Sequence, residues 1–177
     1  MTVHPDEFSG QSSAEKRAAV SDWLTEKGLD ATIVSALDSV AWLFNVRGSD
    51  VDRTPVALSF AVVGQDGIAD LYVAPEKIDD AVRQHLGNAV RIHDRDDFAP
   101  ALKAMSGKKI AVDPEHAVSA IFAALQAGGA TVVELRDPTI LAKALKNPVE
   151  QAGHRAAQRR DGAALSRFLH WISVEAP

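Results

Sequence analysis

The chain has 177 residues, of which 46% are hydrophobic and 24% charged, with a formal net charge of −5 and no cysteine. That balance is ordinary for one globular domain with a sizeable core, or one domain plus an appendage. It excludes disulfides, cysteine nucleophiles and thiolate metal sites, it offers no basic surface for nucleic acid, and no run is long and apolar enough to span a membrane. A cytoplasmic setting is expected, because the first residues also lack the basic start and apolar run of a signal peptide.

Residues 1–10 read as an irregular lead-in. Ser12-Ser13-Ala14-Glu15 has the form of a capping box, in which a hydroxyl and a carboxylate satisfy the first free amides of a helix. The spacing predicts a helix over 13–27 with Val20, Trp23 and Leu24 on its buried stripe and Gly28 as a left-handed cap. A short β-branched run at 31–35 predicts a strand. Asp38 is expected to cap a second short helix carrying Val40, Trp42, Leu43 and Phe44.

A polar loop follows, Asn45-Val46-Arg47-Gly48-Ser49-Asp50. It gathers an amide, a guanidinium, a hydroxyl and a carboxylate between apolar elements, which is how a scaffold presents a binding edge. The same residue types build plain turns, and composition alone leaves both readings open.

Residues 56–63 and 68–73 predict antiparallel strands joined by a turn at Gln65-Asp66-Gly67. Pro75 is expected to open one helix along Ile78, Val82 and Leu86. A strand at 90–92 follows. Asp94, Asp96 and Asp97 then precede an apolar helix through Leu102 and Met105. Capping is the expected role of these carboxylates, with a metal site as the alternative. A strand at 109–112, a helix along Val118, Ile121, Phe122 and Leu125, and a strand at 130–135 complete an alternating pattern. The fold class is therefore α/β, with a mixed central sheet of about five to six strands flanked by helices.

After a short helix over 139–145, Asn147 and Pro148 form a start signal for a long C-terminal helix over 149–174. Its first half offers Ala152, Gly153, Ala156 and Ala157 for close packing, and its second half a bulky stripe of Leu165, Phe168, Leu169 and Ile172, with Trp171 beside it. Such a stripe implies a partner. It is expected to pack on something later in a longer chain, or else to support self-association. No nucleophile–base pair, dinucleotide fingerprint or phosphate loop stands out, and the six histidines show no ligand pairing. A small-molecule enzyme built on Arg47, Asp50 and a histidine is thus the weakest reading.

The run Leu37-Asp38-Ser39-Val40-Ala41-Trp42-Leu43-Phe44-Asn45-Val46-Arg47-Gly48-Ser49-Asp50 resembles the middle domain of three-domain Xaa-Pro aminopeptidases. Three other stretches resemble that family in the same order. They are Phe8 to Arg17; Thr54-Pro55-Val56 with Ser59-Phe60; and Lys146-Asn147-Pro148-Val149-Glu150 with the segments 160–165 and 168–171. The resemblance implies a creatinase N-terminal-like domain over 1–145 and, over 146–177, a linker helix opening a catalytic domain. It also implies a parent metallopeptidase, a hydrolase that removes the first residue of peptides with proline second. Two Asp, one His and two Glu of its catalytic domain would hold two divalent metals, usually manganese, which generate and aim a hydroxide. None of those ligand motifs is in this chain, so the chain alone is expected to be inactive and to hold no metal or cofactor. Its partners would be its own catalytic domain and, in the parent, proline-containing peptides. The alternative within the same superfamily is a stand-alone peptide- or protein-binding module without peptidase activity.

The resemblance marks Asn45, Arg47, Ser49 and Asp50 as substrate- or interdomain-contact candidates, with Asp50 expected to hold the Arg47 guanidinium. Gln158 joins them. It stands where the family commonly has the histidine of an Ala-His-x-x-Asp pattern, here Ala157-Gln158-Arg159-Arg160-Asp161, and it cannot titrate near neutral pH. His154, one turn earlier, is a candidate substitute. The exposed interface candidates are Leu165, Phe168, Leu169 and Ile172.

Overall fold

A computed structural model describes residues 1–175; the last two residues of the expected linker segment lie outside the described residues. The order is β1 (Thr2–Val3), α1 (Asp6–Ser9), α2 (Ser13–Lys27), β2 (Ala31–Val34), α3 (Leu37–Leu43), β3 (Val46–Arg47), β4 (Ser59–Gly64), β5 (Ala69–Val73), α4 (Asp80–Leu86), β6 (Val90–His93), α5 (Phe98–Lys103), β7 (Lys109–Val112), α6 (Ser119–Ala127), β8 (Thr131–Glu134), α7 (Thr139–Ala144) and α8 (Pro148–Val174). Six strands form one mixed sheet in the order β6-β5-β4-β2-β7-β8. The β2–β4 and β4–β5 pairs are antiparallel, and β2–β7, β5–β6 and β7–β8 are parallel.

The two-residue period of the strands divides the core between the faces of the sheet. Val34, Ala61, Val63, Leu71 and Val73 face a layer that includes Val20, Leu24, Leu43, Phe44, Val82 and Leu86. Ile33, Val62, Tyr72, Ile110 and Val112 face Phe98, Leu102, Ile121 and Leu125. Helices thus cover both faces, as the alternation of elements requires.

Where local chemistry decides, the elements fall where expected. Ser12 and Glu15 form the capping box of α2, and Gly28 ends it at φ 64°. Gly67, at φ 76°, turns the β4–β5 hairpin. Asn147 and Glu150 form a second capping box, with Pro148 opening the helix it starts.

Other expectations are corrected. Residues 1–10 are not irregular: β1 pairs antiparallel with β3, Thr2 opposite Arg47 and Val3 opposite Val46. Asp38 does not cap α3. Ala36 holds that position, while Asp38 sits in the first turn and pairs with Lys143. The strand expected from residue 56 begins at Ser59, because the backbone before it lies along the polar loop, with Gly48 N donating to Pro55 O and Asp50 N to Val56 O. The helix expected from Pro75 is a single tight turn over Pro75–Lys77; Ile78 is extended, and Asp79 caps the separate helix α4 through Val82 N. Of the acidic cluster, Asp94 caps a tight turn over Arg95–Asp97, and Asp97 makes no capping bond to α5.

The 27-residue helix α8 carries no buried residue. Its small residues Ala152, Gly153 and Ala156 are not closely packed; with Glu7, Phe8 and Val149 they line an open groove. No helix among the described residues is long and apolar enough to cross a membrane.

Candidate functional site

The polar loop grows out of the C-terminal end of α3. Asn45 takes a positive φ of 50°, a conformation that asparagine tolerates better than most residues. This bend sends its side chain inward. Asn45 is 1% exposed and is shared among several partners. Its Oδ1 accepts from Lys16 Nζ at 2.6 Å. Its Nδ2 faces Gln11 O at 2.8 Å, Ser9 Oγ at 3.1 Å and Asp6 Oδ1 at 3.2 Å. Asn45 therefore ties three segments together from inside.

Lys16 is nearly as buried. It donates also to Trp42 O at 2.9 Å and lies 4.2 Å from the centre of the Trp42 ring. Burial brings its pKa down to about 8, opposed by the charge of Glu150.

Arg47 is half-buried at the loop's start. Its Nη1 donates to Ala41 O at 3.1 Å and Val46 O at 2.9 Å, satisfying a carbonyl near the end of α3. Burial lowers its pKa from the ordinary value, and Glu150 opposes the shift. Asp50 does not hold this guanidinium. It pairs with Lys77 and accepts from Leu58 N at 2.6 Å, and these two bonds hold its pKa below the usual carboxylate value. Gly48 is required by space: a Cβ there would lie 2.6 Å from Ala57 N.

Arg47, Gly48, Ser49, Asp50 and Lys77 line one shallow cavity of about 180 Å³ with Met1 and Thr2. The structure brings these together and leaves Asn45 out, beneath them. Gln158 and His154 are exposed on α8. Leu165, Phe168, Leu169 and Ile172 are about half-exposed, with Trp171 stacked on Phe168 at a centroid distance of 6.3 Å. Sequence reasoning missed Lys77 and Lys16. Lys16 carried a signal, since it lies at i−4 and i−8 from the core residues Val20 and Leu24. Lys77 carried none.

Among the described residues, one group of side chains has metal-ligand spacing: Asp113, Glu115 and His116, with atoms within 4.8 Å of one another. Both Asp113 oxygens are already engaged. Oδ1 accepts from Glu115 N at 2.8 Å, and Oδ2 accepts from Asp137 N at 2.8 Å and lies 3.1 Å from His116 Nδ1. Burial opposes the Asp113 charge, but these donors outweigh it and hold the pKa down. One engaged carboxylate that organises a turn, with two exposed neighbours, does not fit a dinuclear centre.

The model of the Creatinase/Prolidase N-terminal domain matches residues 1–150. The chain belongs to that family. This creatinase-like domain is 37% identical over 182 residues to a probable Xaa-Pro aminopeptidase P of Coccidioides posadasii, covering 98% of this chain and 30% of that protein. It is 38% identical over 181 residues to one of Aspergillus fumigatus, covering 98% of this chain and 28% of that protein. The chain thus spans under a third of the length of the curated relatives it matches. Among solved structures it is similar to the X-prolyl aminopeptidase of Caenorhabditis elegans, a cytosolic enzyme with a di-nuclear active site. The TM-score is 0.87 at 30% identity, over 98% of this chain and 29% of that one. It shares its fold with a Xaa-Pro dipeptidase from Bacillus anthracis, at TM-score 0.69 and 16% identity over 91% of this chain and 44% of that one.

Proposed function

We propose that this chain is the non-catalytic middle domain of a Xaa-Pro aminopeptidase, joined to the first helix of the catalytic domain. The intact enzyme removes the N-terminal residue from peptides with proline second. The observation that carries this reading is similarity along 98% of the chain, in sequence and in structure, to enzymes named for that activity. In this reading the division falls near residue 145, which is supported by Asn147 starting, just beyond it, a helix that buries none of its own residues.

In this reading the stripe of Leu165, Phe168, Leu169 and Ile172 packs on the catalytic domain. The shallow cavity edged by Arg47, Ser49 and Asp50 faces the substrate cleft. Arg47 is the residue most suited to touch substrate, because its Nη1 anchors the group while the rest of the fork is left for a carbonyl or carboxylate. Gln158 faces the same cleft from α8 as a neutral donor and acceptor. The two divalent metals, usually manganese, belong to the catalytic domain and supply the nucleophile there. The C. elegans enzyme is cytosolic, and the same compartment is proposed here.

The test is hydrolysis by the full-length protein supplied with manganese. Xaa-Pro peptides should be cleaved and their Xaa-Ala counterparts left intact. Failure to cleave Xaa-Pro peptides, or equal cleavage of both series, would contradict the reading.

A further inference from the structure

We infer that the direction in which α8 leaves the domain is set by a polar relay, Lys16–Asn45–Ser9–Asn147, whose first three members are buried, so that these four residues position whatever follows the helix. The relay is a property of this chain. Its consequence for a catalytic domain rests on the function proposed above.

Packing alone does not fix α8, whose main contacts with the body of the domain are with the short helix α1. None of its 27 residues is buried, and beside its first turns lies the open groove formed with Glu7 and Phe8. A helix rises 1.5 Å per residue, so this one is about 40 Å long, and a tilt of about 5° at its base would move its far end by roughly 3–4 Å. The base therefore decides where the bulky stripe is presented.

The base is built from hydrogen bonds. Asn147 Oδ1 accepts from Glu150 N at 3.0 Å, and Glu150 Oε2 accepts from Asn147 N at 2.9 Å. This capping box organises the helix end without tying it to the domain. The tie is the other end of the same amide: Asn147 Nδ2 donates to Ser9 O at 2.7 Å. Ser9 is itself fixed, its Oγ accepting from Asn45 Nδ2 and donating to Gln11 O at 2.9 Å. Asn45 is fixed in turn by Lys16 Nζ. Lys16, Ser9 and Asn45 are each at most 2% exposed, so solvent hardly competes for the bonds among them, while the Asn147–Ser9 tie at the helix base is part-buried. Gly10 completes the seat at φ 66°. A Cβ there would lie 2.5 Å from Asn147 Oδ1 and 2.8 Å from Val149 Cβ.

Asparagine is used at both ends here. Serine caps helices about as well, but its single hydroxyl sits at the cap and it has no amide nitrogen beyond it to reach Ser9 O. Asn147→Ser therefore keeps the cap and cuts the tie. The cysteine-free chain allows clean spin labelling at Asp22→Cys on α2 and Arg159→Cys on α8, both exposed. Double electron–electron resonance then reads the distribution of distances between the helices. In Asn147→Ser the distribution should widen roughly two-fold with the helical circular dichroism unchanged, as a kept cap and a lost tie require. Gly10→Ala, which crowds the seat, should shift the mean distance. An unchanged width and mean in both variants would overturn the inference, and so would widening accompanied by loss of helicity, which would mean that the cap alone matters. No catalytic domain takes part in this measurement, so its failure leaves the proposed activity standing, and an inactive full-length protein leaves the relay standing.

Discussion

Lys16 donates its ammonium to Asn45 Oδ1 at 2.6 Å in a place that solvent hardly reaches. Burial brings the lysine to a pKa of about 8 against an ordinary 10.5. The unfolded chain then binds this proton more tightly than the folded one between those two values, and stability rises with pH wherever that is so. The penalty is in full force below about pH 8 and is relieved as pH climbs through the window to 10.5. At about 1.4 kcal/mol per pKa unit the relief is on the order of 3 kcal/mol. Lys16→Met removes the titration. Urea unfolding of both proteins from pH 7 to 10.5 should show the wild type gaining stability relative to the variant across that window. Parallel curves would contradict the assignment.

Arg47 offers a separation of structure from chemistry. Its Nη1, one half-buried charged donor shared between the Ala41 and Val46 carbonyls, is worth about 1.5–3 kcal/mol. A domain with roughly 5–15 kcal/mol of stability survives that loss. On the proposed function, Arg47→Ala in the full-length protein should stay folded while kcat/KM for Xaa-Pro peptides falls about ten-fold or more, the equivalent of at least 1.4 kcal/mol in the transition state. Unchanged kcat/KM would rule out the substrate role.

The stripe on α8 sets a further expectation. Leu165, Phe168, Leu169 and Ile172 are each about half-exposed. At roughly 1.5–3 kcal/mol for fully burying each side chain, covering the exposed halves of four contributes about 3–6 kcal/mol per copy, or about 6–12 kcal/mol for a pair. Association costs about 4–15 kcal/mol before any gain appears, so this chain alone should self-associate weakly. Sedimentation velocity should show a concentration-dependent rise in mass that disappears in the Phe168→Ser, Leu169→Ser double variant. Concentration-independent monomers in both proteins would count against pairing through this face.

What the sequence made legible was local. The boundaries of α2 follow from Ser12, Glu15 and Gly28, the β4–β5 hairpin from Asp66-Gly67, and the start of α8 from Asn147, Pro148 and Glu150. Each signal lies within four residues of the feature it fixes. That helices flank the sheet was legible from the alternation of strands and helices along the chain. The β1–β3 pair was not, because two-residue strands have no period and are held by partners over forty residues apart. The break at Ile78 was hidden by an apolar spacing that continues through it while the backbone does not. That Arg47, Ser49 and Asp50 share one polar loop was legible, but their bonding was not. Asp50 meets Lys77, 27 residues away, rather than the nearby arginine. Asn45 looked like an exposed loop residue, and a positive φ turned it into the core. Both outcomes are set by tertiary packing, which no local pattern encodes.

In the proposed function, this chain shapes a peptidase site without supplying its catalytic groups. The most direct measurement is turnover of an Xaa-Pro peptide by the 177-residue chain alone, repurified and supplied with manganese. The rate should equal that of buffer with manganese. Turnover that scales with the concentration of the chain and survives repurification would contradict it.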